Sequence, residues 1–425
     1  METSELFSSL LQNLKVGDSN ITVASRRDEI TKALNKEFRA KEGSTEHRLM
    51  VGSYGRHTAI RGVSDLDMLY ALPPSIRANH AGETGPRRIL TQVKDTLQKR
   101  YPNTEVRVDQ CVVRVQFSSN SFKFEVQPVF ENDDKSFSYP DSVDRGWKVT
   151  KPRDEIRATQ ECNERTSNNM RHLARMVRAW KNTHGVNMGG LLIDTLVHRF
   201  FSRTECYNSA GLHTYDLMVR DFFEFLAGQP DQSYYSALGS GQNVAAKKGF
   251  QPKAKKAYKR SLEAIASEGT ATANKKWRSM FGTSVPLKAV SAAHAFDNTE
   301  QFIEDWYPVD IRHSLTIDCE VAQNGWRPAS LRKMLEERTF LHANKTLDFT
   351  IVECSADRPF EVWWKVLNRG SEAEKRNEIR GQIIKSNRQD ARHERTKFRG
   401  EHVVECYIIK DGVAVARDRI DVPIA

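Results

Sequence analysis

Val51-Gly52-Ser53-Tyr54-Gly55-Arg56-His57-Thr58-Ala59-Ile60-Arg61-Gly62-Val63-Ser64-Asp65-Leu66-Asp67-Met68-Leu69-Tyr70 is the stretch on which the reading of this 425-residue chain turns. Its second half predicts a strand, Leu66–Leu72, in which residues two apart share a face. Asp65 and Asp67 therefore project side by side, while Leu66, Met68 and Tyr70 face the other way. Two adjacent carboxylates repel, and a hard divalent cation between them relieves the repulsion. Mg²⁺ suits the position because it takes one or two carboxylates and completes its shell with phosphate oxygens and water. Upstream, Gly52-Ser53 follows a short apolar run, His47–Val51, and is expected to open a helix whose first backbone N–H groups can hold phosphate.

In-line displacement between two metal ions needs a third acid. Glu125 is the candidate, in Phe122-Lys123-Phe124-Glu125-Val126-Gln127-Pro128-Val129-Phe130, where it alternates with apolar residues on a second strand able to lie beside the first. Asp-x-Asp alone is common on surface turns and says little. Gly-Ser, eleven intervening residues, Asp-Leu-Asp and a later strand acid are much harder to obtain together by chance.

Outward from this passage the chain falls into three blocks. Leu6, Leu10, Leu11 and Leu14, then Ile30, Leu34 and Phe38, recur at helical spacing. The runs His47–Val51, Leu66–Leu72, Val106–Phe117 and Phe122–Phe130 predict strands, so the first block is α+β or α/β. From about 153 to 285 strand signals disappear, and Met170–Trp180, Leu191–Phe201, Tyr215–Leu226 and Lys253–Ser267 carry helical periods. Beyond about 300, strands are expected at Ser314–Val321, Thr346–Cys354, Phe360–Leu367, Val403–Lys410 and Val413–Val422, with a helix at Ala329–Thr339. The expected organisation is 1–152, 153–285, a linker at 286–300, and 301–425.

Composition agrees with a multidomain globular chain: 39% hydrophobic and 28% charged residues, with 7 Trp, 20 Phe and 11 Tyr. The balance, 65 Lys+Arg against 55 Asp+Glu, is +10 and favours polyanionic ligands: nucleotides, nucleic acid or an acidic membrane surface. Ten basic residues and two acids lie between Ala245 and Arg278, a local +8. That stretch reads as a rim attracting triphosphates, a docking face for a polyanion, or a solvated lysine-rich helix. Six scattered cysteines, without CxxC or paired His spacing, predict neither a zinc site nor a disulfide framework and fit reduced, cytosolic thiols. The N-terminus lacks the features of a signal peptide, and no apolar run approaches a membrane span, so a cytoplasmic protein without membrane partners is expected.

Gly-Ser, the spaced Asp-hydrophobic-Asp and the hydrophobic-acid-hydrophobic strand resemble the signature of the DNA polymerase β-like nucleotidyltransferases. The longer match, GSYGRHTAIRGVSDLDMLY followed by FEVQPVF, is similar to the branch containing oligoadenylate synthase, cyclic GMP-AMP synthase and the bacterial CD-NTases, including DncV-like (SMODS) members. The resemblance implies an α+β palm with a helical second lobe. It makes Asp65, Asp67 and Glu125 the catalytic acids and ligands of two Mg²⁺ ions, with Mn²⁺ as a substitute. Glu125 would lie beside the attacking hydroxyl, in a position where most relatives have Asp. Gly52, Ser53 and Thr58 would face the nucleotide phosphates.

Arg171-His172-Leu173-Ala174-Arg175-Met176-Val177-Arg178-Ala179-Trp180-Lys181 is similar to the family's helix that ends in a lysine directed at the donor phosphates, which is Lys181 here. Asp194 matches a segment where relatives commonly carry Glu and is taken as structural. Ser240 and Asn243 match a loop near the base, and Tyr234 or Tyr235 could stack on it. WWKVLNRGSEAE, IRGQI and GEHVVECYI resemble the C-terminal AGS-C sensor domain, a β-rich fold.

The implied function is a bacterial synthase joining NTPs (ATP, GTP or both) into a cyclic di- or oligonucleotide for antiphage (CBASS-type) defence. Its implied partners are a downstream cyclic-nucleotide effector and a nucleic-acid activator. Two rival readings are a transferase acting on an RNA or protein acceptor and a non-catalytic nucleotide sensor.

Overall fold

A computed structural model describes residues 2–17, 19–62, 65–117, 122–247, 249–286, 300–322, 328–337, 339, 341–369, 371–386 and 390–424, the side chains of 19–21, 371 and 374 excepted. Val63, Ser64, Lys248, Gly370 and nearly all of the expected 286–300 linker lie outside the described residues. The chain divides into two compact units, Met1–Ser44 with Met50–Ser291, and Thr45–Leu49 with Ala292–Ala425.

The chain begins with α1 (Thr3–Leu14), α2 (Ser19–Arg39), the short β1 (Arg48–Met50), of which Met50 belongs to the first unit, the single turn α3 (Gly52–Gly55) and β2 (Asp65–Ala71). α4 (Gly85–Arg100), β3 (Glu105–Asp109), β4 (Val112–Gln116), β5 (Lys123–Glu131), β6 (Phe137–Asp141) and β7 (Gly146–Thr150) follow. The sheet runs β2-β5-β4-β3, with β6 on β5 and β7 on β6. β2 and β5 are parallel, while β4 lies antiparallel to β5. Parallel neighbours need a long connection, and α4 lies within it. Its Ile89, Leu90, Val93 and Leu97 are wholly buried in one core with Leu66, Met68, Phe124 and Val126 and with Ile30 and Leu34 of α2.

Sequence periodicity missed α4 because five Lys and Arg residues dilute its apolar stripe. The single run expected over Val106–Phe117 is a hairpin, turned at Asp109-Gln110-Cys111, where Gln110 adopts φ +45°.

The helical lobe comprises α5 (Pro152–Arg165), α6 (Asn169–His184), α7 (Gly190–Phe201), α8 (Tyr215–Ala227), α9 (Phe250–Ile265) and α10 (Ala271–Phe281). A two-stranded ribbon, β8 (Tyr234–Ser236) with β9 (Asn243–Ala245), interrupts it where no strand was expected. Three-residue strands are too short to show a period. α1 packs in this lobe: Leu6, Phe7, Leu10 and Leu14 share a core with Leu173, Trp180 and Trp277, and the Phe7 and Trp277 rings lie 5.2 Å apart. The first 152 residues therefore do not form a self-contained block, because the chain's first apolar helix buries its face among helices that come much later.

The second unit contains two four-stranded antiparallel sheets. One is β11-β10-β12-β15, made of β10 (Leu315–Ala322), β11 (Ala329–Ser330), β12 (Thr346–Cys354) and β15 (Arg392–Arg395). The other is β14-β13-β16-β17, made of β13 (Glu361–Leu367), β14 (Arg380–Lys385), β16 (Gly400–Lys410) and β17 (Val413–Ile424). The helix expected over Ala329–Thr339 is the six-residue α11 (Leu331–Glu336), capped by Ser330, and a short α12 (Ser371–Lys375) precedes β14. Trp364 is 1% exposed in the core, which removes it from any base-stacking role.

Candidate active site

The parallel register sets Asp65 opposite Lys123 and Asp67 opposite Glu125. Asp65, Asp67, Lys123 and Glu125 are half-buried, while Leu66, Met68 and Phe124 between them are wholly buried, so one sheet face carries the charge and the other the core. The Gly52 turn folds directly onto this face. Val51 N–H donates to the Asp67 carbonyl at 2.9 Å, and Gly52 adopts φ +62°. A β-carbon at 52 would lie 1.9 Å from Asp67 Oδ2, and one at 55 would lie 2.1 Å from the Met50 carbonyl oxygen. Only glycine lets the backbone come this close. The expected helix after Gly52-Ser53 is one turn of four residues, too short for an appreciable macrodipole. Its leading N–H groups still lack intrahelical acceptors.

Burial, then the nearby Glu125 and Asp65, push the Asp67 carboxyl up to about 6, against the pull of Arg56 and Lys123. Asp65 Oδ1 is buried and makes no hydrogen bond; the Lys123 ammonium lies 3.2 Å from it and 3.7 Å from Glu125 Oε1. Arg114 Nε, directly across β4, donates to Glu125 Oε1 at 2.9 Å. Among the described residues no trio of His, Cys, Asp or Glu side chains converges tightly enough to close a metal site by itself. A carboxylate oxygen answered by an ammonium without a hydrogen bond, a carboxyl destabilised by burial and its neighbours, and an all-oxygen donor set fit a hard divalent cation that draws its remaining ligands from phosphate and water.

Beneath the turn, Asp194 of α7 is wholly buried and gathers four hydrogen bonds from three side chains, one of them from Arg178 Nη2 to Oδ2 at 2.9 Å. Arg178 Nη1 reaches Oδ1 at 2.7 Å, Arg56 Nε reaches Oδ2 at 2.8 Å, and Thr58 Oγ1 reaches Oδ2 at 3.0 Å. Burial raises the Asp194 carboxyl, but Arg178 and then Arg56 outweigh it and hold it below the usual range. Arg56 also donates to Glu155 Oε2 at 3.2 Å, and Ser240 Oγ donates to Glu155 Oε1 at 3.3 Å. This network ties the turn after β1 to α5, α6 and α7.

Asp65, Asp67, Glu125 and Gly52 thus come together, with half-buried Ser53 in the same turn. Thr58 does not face outward as expected: it is wholly buried, with its hydroxyl given to Asp194. Ser240 turns to Glu155, and Asn243 is exposed at the start of β9. Tyr235 is buried with its hydroxyl on the Pro230 carbonyl, which leaves Tyr234, 58% exposed, as the tyrosine open to a base. Lys181 is half-buried in the last turn of α6, three residues beyond Arg178.

Arg56, Lys123 and Arg114 escaped the sequence reading. Lys123 alone carried a signal, since it shares a strand face with Glu125 two residues on. In the basic stretch, Lys253 Nζ donates to the carbonyls of His184 and Gly185, Lys276 pairs with Glu263, and Lys255, Lys256 and Lys259 are exposed.

A glycine-serine turn pressed on an Asp-x-Asp strand, with an acid on the parallel neighbour, defines the nucleotidyltransferase palm. Residues 1–163 match the Second Messenger Oligonucleotide or Dinucleotide Synthetase (SMODS) domain, and residues 297–425 match the Adenylyl/Guanylyl and SMODS C-terminal sensor domain. The chain belongs to the CD-NTase family and carries an AGS-C domain.

A Bacillus cereus (strain VD146) protein named "Probable cyclic nucleotide synthase" is 22% identical over 218 residues, covering 44% of this chain. The match spans 64% of that relative's length, just under two thirds. Among solved structures, Escherichia coli DncV in its 3'-deoxy GTP bound form aligns at TM-score 0.50 and 16% identity, over 68% of this chain and 98% of that one. E. coli MS115-1 CdnC with ATP aligns at TM-score 0.47 and 14% identity, over 67% and 99%. At such identity the DncV likeness is one of fold. Among the described residues no helix is long and apolar enough to cross a membrane.

Proposed function

We propose that this chain joins NTPs, ATP or GTP or both, into a cyclic di- or oligonucleotide second messenger, acting in the cytoplasm in CBASS-type antiphage defence through a downstream effector. The observation that carries the reading is the register of Asp67 against Glu125 with Gly52 packed on the Asp67 carboxylate. The match to the SMODS domain supports the same chemistry.

Asp65, Asp67 and Glu125 would hold two Mg²⁺ ions. Bound there, the ions would supply charge neutralisation at the triphosphate and lower the acidity barrier of the attacking hydroxyl. The backbone N–H groups of Gly52 and Ser53 bind the phosphate tail, and Lys181 adds a compact cation on the donor side. Lys123 and Arg114 neutralise the carboxylates until the nucleotide arrives, so the strands need not bear three uncompensated charges. Asp194, through Arg56 and Thr58, fixes the turn. Asn243 and Tyr234 sit on the β8-β9 ribbon and its approach, where they would meet the base, with Ser240 holding that loop to Glu155. The exposed lysines of α9 form the face for a nucleic-acid activator.

Purified protein incubated with four labelled NTPs and Mg²⁺ tests this reading. Release of pyrophosphate with a phosphatase-resistant product, and no added acceptor, is expected. Transfer that appears only with RNA or a protein acceptor overturns the cyclase reading, and nucleotide binding without turnover leaves a sensor.

A further inference from the structure

Between the two sheets of the C-terminal unit lies a cavity of about 330 Å³, inside the range of about 300–1,000 Å³ common for small-molecule sites. Its floor is apolar: Leu347 and Phe349 of β12, Val366 of β13, Val404 of β16, and Val422 and Ile424 of β17. Its mouth is charged. Arg380, Arg395 and Lys397 line it together with Glu378 and Glu394. Glu394 is committed within the protein, accepting from Arg380 at 2.7 and 2.8 Å and from Arg392 Nε at 2.8 Å. Three cations therefore face two carboxylates, and with Arg380 engaged by Glu394 the surplus falls to Arg395 and Lys397, both exposed at the entrance. His402 adds no charge: Nδ1 lies 3.4 Å from the Arg369 N–H and Nε2 lies 3.2 Å from the Phe398 carbonyl, the pattern of the neutral Nε2–H tautomer.

The mouth's backbone is unusual as well. Arg380 itself adopts φ +61°, a conformation that side-chain-bearing residues rarely accept, and the next residue, Gly381, adopts φ +90°. Such outliers persist where the surroundings over-determine them and gather at ligand clamps. The polar side chains among the lining, Asn368 and Thr396, are spent on the carbonyls of Glu378 and His342, so the apolar floor takes an apolar body. A surplus of cations confined to one end takes a single negative group.

We propose that this cavity binds a small organic anion, its apolar body between the sheets and its carboxylate or phosphate at the mouth against Arg380, Arg395 and Lys397. The site lies wholly within the second unit and does not depend on the chemistry assigned to the palm. The anion competes with Glu394 for Arg380, so occupancy loosens the hold of β14 on β15.

The test uses the full chain and two dyes of like shape, anionic 8-anilinonaphthalene-1-sulfonate and neutral N-phenyl-1-naphthylamine, followed by fluorescence titration at low salt. The sulfonate is expected to saturate at one site per chain and to bind about tenfold more tightly than the neutral dye, since two unscreened cations at contact distance supply roughly that factor. Arg395→Glu with Lys397→Glu, both on the surface, should erase the preference without moving the melting temperature. Val404→Phe should abolish binding by filling the floor, and if that variant fails to fold, the charge-reversed pair decides alone. Absence of saturable binding, equal affinity for the two dyes, or sulfonate binding that survives the charge reversal each overturns the proposal.

Discussion

A β-carbon added at Gly52 would stand 1.9 Å from Oδ2 of Asp67, on a backbone already at φ +62°. Gly52→Ala must therefore either strain the turn or swing the carboxylate off the sheet face. We expect a loss of about 1–3 kcal/mol of stability together with loss of pyrophosphate release, read by thermal melting and a coupled phosphate assay. Gly189→Ala, where a β-carbon meets nothing within 4 Å, is the matched control and should change neither. A Gly52→Ala enzyme with normal turnover would contradict the close approach.

The Asp67 carboxyl titrates near 6 in the folded chain against an ordinary 3.8. The folded state therefore holds this proton more tightly than the unfolded state, and stability contributed by the protonated form is lost as pH rises from about 4 to about 6. Above that range Asp67 is a repelled, half-buried anion. Asp67→Asn should then raise the melting temperature of the metal-free protein at pH 8, by an amount worth about 1–2 kcal/mol and no more than roughly 3. The same variant should lose the stabilisation that Mg²⁺ confers on the wild type. A lower melting temperature in EDTA would show that Asp67 is instead well paired.

Asp194 holds two buried arginines and a threonine. Removing one member of a buried ion cluster leaves charge without compensation, at a cost of about 3–5 kcal/mol. Asp194→Asn should melt far below the wild type and release the turn through Arg56 and Thr58. Glu263→Gln, which breaks the exposed pair with Lys276, should cost under about 1 kcal/mol. Chemical denaturation of the two variants side by side distinguishes a structural pin from an ordinary ion pair.

How much of this was legible in the sequence depended on the range of the interaction. Asp65 and Asp67 could be placed on one face by the period of a strand, and Glu125 by the same rule on its own strand. The register that brings Asp67 opposite Glu125 is a tertiary fact, set by a crossover connection containing α4, whose stripe five basic residues obscure. Thr58 illustrates the limit: it stands in the signature five residues after Ser53, yet its partner, Asp194, is 136 residues away. Nothing local distinguishes an inward from an outward threonine. The packing partners of α1 were hidden for the same reason, since a clear helical period says which face is buried but not against what. In the C-terminal unit, strands with strong alternation were legible almost to their ends, whereas β11 and β15, of two and four residues, were not.

The most direct test of the account is the Asp65→Asn, Asp67→Asn double variant, checked for an unchanged circular dichroism spectrum and then incubated with four labelled NTPs and Mg²⁺. The wild type should release pyrophosphate and accumulate a phosphatase-resistant product, and the folded double variant should do neither. Synthesis by the double variant at the wild-type rate would contradict the assignment of the site.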